Sequence, residues 1–121
     1  MNSDRVPLLK NEDVLIVPVH DELSDLEANQ LESNLLDRVS KGDITGVVLD
    51  ISSLRSMDLF TTRKLIDLVK MIGLMDVETV IVGMRPAVAL TLAEMEISLP
   101  NIRTAITLEQ GLARLKRKKT K

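Results

Sequence analysis

Gly46-Val47-Val48-Leu49-Asp50-Ile51-Ser52-Ser53-Leu54-Arg55-Ser56-Met57-Asp58-Leu59-Phe60-Thr61-Thr62 reads as an apolar strand, a polar loop and a helix that opens at Asp58. An apolar run broken only by Asp50 is the pattern of a strand buried on both faces, as in a parallel sheet covered by helices. In such sheets the loops at the carboxyl ends of the strands carry the sites. The opening of the helix at Asp58 is therefore the first place to look for function.

Outward from this stretch the same alternation continues. Val6-Pro7-Leu8-Leu9-Lys10 and Val14-Leu15-Ile16-Val17-Pro18-Val19 are β-rich and flank the turn-forming trio Asn11-Glu12-Asp13, which predicts an opening hairpin. Pro7 and Pro18 lack a backbone donor, so they belong on an edge or at strand ends. Ser24-Asp25-Leu26-Glu27 has the form of a capping box, with Leu23 and Ala28 spaced for a hydrophobic staple. Ala28, Leu31, Leu35 and Val39 then recur at helical spacing, and the helix is expected to stop near Lys41-Gly42.

Beyond the central strand, Leu65, Leu68, Val69, Ile72 and Met75 form one helical stripe, widened by Ile66 and Met71. Glu78 to Val82 reads as another buried strand, Gly83 allows a sharp exit, and Pro86 suits a first helical turn. A third helix is expected from Ala87 to about Ile97, apolar on most sides. Arg103 to Ile106 predicts a last short strand, and Thr107-Leu108-Glu109-Gln110 a second capping box before a terminal helix. The order ββαβαβαβα implies a single α/β domain over residues 1–121. It would have a mainly parallel sheet, an N-terminal antiparallel hairpin and about four helices.

Composition narrows the function. The 121 residues contain one Phe, no Trp and no Tyr, so aromatic stacking platforms for single-stranded nucleic acid are missing. A formal net charge of −2 gives no overall field for polyanions. The absence of cysteine fits an intracellular protein. No signal core follows Met1-Asn2-Ser3-Asp4-Arg5, and no apolar run reaches membrane-spanning length. The expectation is a cytoplasmic protein that binds neither nucleic acid nor membrane. The basic run Lys116-Arg117-Lys118-Lys119-Thr120-Lys121 is read as a helix C-terminus and a frayed end.

Catalytic constellations find little support. His20 is the sole histidine, so no nitrogen or sulfur metal site can be assembled around it. Asp21, Glu22 and Asp25 are accounted for by the dipole of a helix start. Gly46, Gly73 and Gly83 stand alone, without a phosphate loop or a nucleophile elbow. Asp50 occupies the strand-end position of a receiver-domain phosphoacceptor. A receiver also needs an acidic pair after its first parallel strand to hold a divalent cation, and the acids here are committed to a helix start. The reading is of a protein that is not an enzyme and holds neither cofactor nor metal.

Two N-terminal strands followed by Gly-Val-Val-Leu-Asp-Ile-Ser-Ser-Leu and Met57-Asp58-x-Phe60 resemble a STAS domain of the anti-sigma-factor antagonist family. Arg5-Val6-Pro7-Leu8-Leu9-Lys10, the segment Gly83-x-x-Pro86-Ala87-Val88-Ala89 and Thr107 to Lys116 extend the resemblance over essentially the whole chain, and Gly83 to Ala89 points to the stressosome branch. The resemblance implies a non-enzymatic scaffold that co-assembles with paralogous STAS proteins, as at least a dimer, and holds a serine/threonine switch kinase in stress signalling. Two other roles within the family stay open: an antagonist in a small kinase complex, and an accessory subunit of a transporter ATPase.

The resemblance also implies a phosphorylatable serine directly after the loop aspartate. A helix N-terminus stabilises a phosphate, whose added charge of about −1.5 to −2 can repel a bound partner. In this sequence that position is Leu59, which has no hydroxyl. Asp58 is expected to cap the helix through amides near Phe60 and Thr61. Asp58, Leu59, Phe60 and Thr61 form the expected partner-binding tip, and Ser56, Thr61 and Thr62 are weak substitute acceptors. Leu59 is read either as loss of the acceptor from an ordinary scaffold or, with Phe60, as an apolar contact for a different partner. In a purely structural reading, Phe60 packs inward and Leu59 covers a neighbouring loop.

Overall fold

A computed structural model describes residues 8–20, 24–94 and 103–119, with side chains through 115. Nine elements follow the expected order: β1 (Leu9–Asn11), β2 (Val14–Pro18), α1 (Asp25–Ser40), β3 (Gly46–Asp50), α2 (Leu59–Leu74), β4 (Glu78–Val82), α3 (Pro86–Glu94), β5 (Arg103–Ala105) and α4 (Leu108–Lys119). The five strands form one sheet in the order β1-β2-β3-β4-β5. β1 pairs antiparallel with β2, and every later neighbour is parallel, with Ile16 opposite Val48 and Val48 opposite Val80.

This strand order explains where the helices lie. Each parallel crossover steps the same way across the sheet, so right-handed connections place α1, α2 and α3 on one face. Leu31 and Leu35 of α1, Leu68 and Ile72 of α2 and Val88 and Leu92 of α3 pack there with Leu15, Val47, Leu49 and Ile81. α4 follows the last strand, is not a crossover, and takes the opposite face over Val14, Val48, Val80 and Val82. β3 is therefore buried on both sides, with Val47, Val48 and Leu49 fully excluded from solvent. Each such side chain contributes roughly 1.5–3 kcal/mol. The close approach of α4 depends on Gly111, where a Cβ would lie 2.6 Å from Val82 Cγ1.

Several boundaries differ from the sequence expectation. β1 lies at Leu9–Asn11, so Asn11 is a strand residue and the turn falls on Glu12 and Asp13, with Glu12 at φ 58°. Pro18 ends β2, where its missing donor costs no ladder bond. The Leu23 half of the predicted staple, Pro7, and residues 95–97 of the predicted third helix lie outside the described residues. Within α3 only Val88 and Leu92 are buried, and Leu90 is exposed. Met75 caps α2 as an exposed residue instead of extending its buried stripe. β5 ends at Ala105, which leaves Ile106 exposed. The Thr107 hydroxyl accepts from the Gln110 amide at 3.2 Å, but the Gln110 side chain accepts from Ile106 N, one residue before the cap. The backbone of α4 is helical to Lys119, through four residues of the basic run read as frayed.

Candidate functional site

The carboxyl ends of β2, β3 and β4 deliver three loops to one edge of the sheet. The β3–α2 loop leaves Asp50, whose Oδ1 accepts from Ser52 N at 3.0 Å and turns the chain. Ile51, Leu54 and Met57 are buried and anchor it, while Ser52, Ser53, Arg55 and Ser56 face solvent. This alternation of anchors and polar residues explains why a loop with only one charge between Ser52 and Met57 is fixed: its apolar side chains are part of the core. Gly83, at φ 78°, lets the next loop pass against it, where a Cβ would lie 2.8 Å from Ser52 Cβ. Arg85 Nε then donates to Ser52 O at 2.8 Å.

Asp58 ends the loop as the N-cap of α2, with extended backbone at φ −94° and ψ 177°. Its Oδ1 accepts from Thr61 N at 2.7 Å, and the Thr61 amide and then the Thr61 hydroxyl hold its carboxyl below the usual carboxylate range. Asp58 O receives both Thr62 N at 3.0 Å and Thr62 Oγ1 at 2.7 Å. The expected cap is present, made to the third helical residue and not to Phe60.

The predicted tip residues separate clearly. Leu59 is 51% exposed and Phe60 44%, so Phe60 is not packed into the core and both keep about half their surface open to solvent. Lys64 Nζ lies 5.9 Å from the Phe60 ring centroid, within cation–π range, and donates to Asn29 Oδ1 on α1 at 2.7 Å. Thr61 is half-buried and engaged with Asp58. Thr62 has no exposed surface, and its hydroxyl is donated within the helix turn, which removes it as an acceptor in the folded chain. Ser56 is exposed beside an open groove between α1 and α2.

That groove is floored by Leu31, Leu54, Leu65 and Leu68, walled by Phe60, and rimmed by polar groups that include His20, Glu32 and Lys64. Its relation to the tip was not drawn from the sequence. The i,i+4 spacing of Phe60 and Lys64 was a readable signal for one part of it. The Arg85–Ser52 bond joins residues 33 apart and had no local signature. Among the described residues, no group of three or more His, Cys, Asp or Glu side chains is placed to hold a metal ion, and no helix is long and apolar enough to cross a membrane.

The STAS domain family model matches residues 5–110. The chain belongs to the STAS domain family. Its fold superposes on a serine-to-glutamate variant of RsbS from Moorella thermoacetica with a TM-score of 0.87 and 36% identity, covering 98% of this chain and 100% of that one. A structure described as showing the molecular architecture of the stressosome, a signal integration and transduction hub, contains a chain that matches with a TM-score of 0.84 and 36% identity, covering 95% and 100%. Among curated proteins, the RsbT co-antagonist protein RsbRD of Bacillus subtilis is 26% identical over 98 residues, 81% of this chain and 35% of its own length. The chain thus spans about a third of that relative. In STAS terms, the described tip is the N-terminus of α2, and the loop aspartate of the resemblance is Asp58.

Proposed function

We propose that this STAS domain is a non-enzymatic binding module, a stressosome scaffold and anti-sigma-factor antagonist that holds a serine/threonine switch kinase at the N-terminus of α2. The single supporting observation is the exposed Leu59–Phe60 pair on a helix start fixed by Asp58, in a chain similar over its whole length to RsbS. Phe60, the chain's one aromatic residue, is 44% exposed directly beside Leu59, and adjacent exposed apolar side chains on a helix start suit a partner contact. In this reading the domain acts in the cytoplasm and co-assembles with paralogous STAS proteins and with itself, as at least a dimer. The RsbR-type relatives are the model for such paralogues.

Leu59 makes the contact permanent at the position where the family resemblance calls for a serine. A phosphate there would place negative charge on a surface that a partner occupies, and a leucine cannot receive one. The test is incubation with the cognate kinase and ATP, with phosphosites mapped by mass spectrometry. The native chain stays unlabelled and Leu59→Ser becomes labelled at that residue. Labelling of native Ser56 or Thr61 would defeat the permanent-contact reading, and an unlabelled Leu59→Ser chain would defeat the assignment of the site. Co-expression with a paralogous STAS protein gives a large particle by size-exclusion chromatography with light scattering. A one-to-one kinase complex with no particle would leave the simple antagonist role instead.

A further inference from the structure

We infer that Asn29 and Lys64 form a clamp that fixes the Phe60 ring at the α2 tip, so that α1 sets how the tip is presented to its partner. The inference rests on the proposed partner-binding role of the tip and adds two positioning residues to it. Phe60 and Lys64 stand four apart on α2 and therefore share a face. Lys64 Nζ lies 5.9 Å from the ring centroid and at the same time donates to Asn29 Oδ1 at 2.7 Å. One ammonium thus ties the ring to a second helix. Asn29 is exposed on α1, 35 positions from Lys64 in sequence, and lies past the first turn that the Ser24 cap secures, so the clamp does not depend on that cap.

The clamp supplies what packing does not. With 44% of its surface open, Phe60 is not locked by its neighbours, and a side chain that must be ordered on association costs affinity. A ring held in one orientation beforehand avoids that cost. An exposed cation–π contact is weak by itself, because a lysine gives up rotamer freedom to make it. Asn29 removes that weakness by fixing the ammonium from the far side, while the half-buried lysine stem lies along the groove that Phe60 walls. The choice of acceptor is specific. Glu32, one turn further along α1, lines the same groove, yet no ion pair joins it to Lys64 among the described residues.

The test reads the ring and the affinity together. The chain contains one Phe and neither Trp nor Tyr, so the Phe60 ring signals in NMR spectra of the full chain are confused with none but those of His20. In the native chain the ring shifts the Lys64 ε-methylene protons upfield. Asn29→Leu, an exposed substitution that removes the acceptor, abolishes that shift and lowers affinity for the cognate kinase by about two- to tenfold, the cost of ordering one side chain on binding. Lys64→Met keeps an apolar stem and repeats the loss of affinity. Asn29→Asp keeps an acceptor oxygen in the same place and retains both the shift and the affinity. Glu32→Gln leaves both unchanged, because Asn29 and not Glu32 holds the ammonium. A Lys64 shift that survives Asn29→Leu overturns the inference, as does affinity that stays unchanged once the shift is gone. Lost affinity with an unmoved ring, or an equal loss in Asn29→Asp, overturns it too and makes Asn29 a direct contact. Each of these leaves the proposed function standing, since the native chain still binds the kinase. A native chain that binds no kinase but loses the shift in Asn29→Leu breaks that function and supports the clamp.

Discussion

Two helices start on the same edge of the sheet, and their first turns are built differently. At α1 the cap is self-contained: Ser24 Oγ accepts from Glu27 N at 3.1 Å, Glu27 Oε1 accepts from Ser24 N at 3.0 Å, and Asp25 adds charge favourable to the dipole. At α2 one carboxylate does the capping, and the third helical position, where a Glu or Gln would complete a box, is Thr61. Instead of a reciprocal partner, the α2 start has Thr62 of its own first turns donating to Asp58 O, and its loop is braced from outside by Gly83 and Arg85 against Ser52. The difference teaches that the polar side chains of the α1 start account for themselves by local stability. The α1 start exposes one apolar residue, Leu26, whereas α2 exposes two in succession, Leu59 and Phe60, which neither cap the helix nor fill the core, and the proposed contact role rests on that pairing.

The largest effect is expected where the α2 start is braced from a distance. Gly83→Ala places a Cβ in a left-handed conformation and 3.1 Å from Ser52 N, so it costs about 2–3 kcal/mol by chemical denaturation and loosens the Asp58 cap. A loss well below 1 kcal/mol would mean that the α2 start stands without its brace. Thr62→Val keeps the buried shape and removes one of two donors to Asp58 O, at about 1 kcal/mol. Ser24→Ala breaks the self-contained cap at about 0.5–1 kcal/mol and leaves kinase affinity unchanged, because its effect stops at α1. Kinase binding that fell with Ser24→Ala would erase the distinction between the two starts.

The smallest effect is one of pH. The carboxyl of Asp58 titrates below its ordinary value of 3.8 in the folded chain, so its stabilising contribution is complete above that value and is lost as pH falls through the lowered pKa. Asp58→Asn keeps an acceptor for the Thr61 amide but cannot titrate, and the acid limb of denaturation below about pH 4 becomes shallower. The slope falls without vanishing, because Asp43, held first by its hydrogen bond from Lys10, is acid-labile in the same direction. An unchanged acid limb would show that the Asp58 carboxylate is not what fixes the α2 start.

The element order, the central buried strand and the Ser24 box were legible because each rests on local chemistry: side-chain period, turn residues and a four-residue cap. Asp58 as a cap was legible for the same reason. Thr62 was misread as an available hydroxyl because its neighbours are polar, although the helix phase turns it inward beside Ile66 and Val69. The opposite error occurred at Ile106, whose apolar side chain suggested a strand residue but which lies beyond the last ladder pair, Val82 with Ala105. Leu59 and Phe60 were named as a tip, yet no local pattern told whether they point in or out.

By itself, the sequence determined which segments become strands and helices, where two helices are capped, and that the position after Asp58 cannot carry a phosphate. These depend on bonds and periodicities spanning a few residues. Only the tertiary structure decided that Leu59 and Phe60 stand in solvent, that Thr62 does not, and that Phe60 walls a groove completed by α1. Exposure and concavity arise from which elements meet, and the contacts that place Ser52 against Gly83 and Lys64 against Asn29 join residues 31 and 35 positions apart.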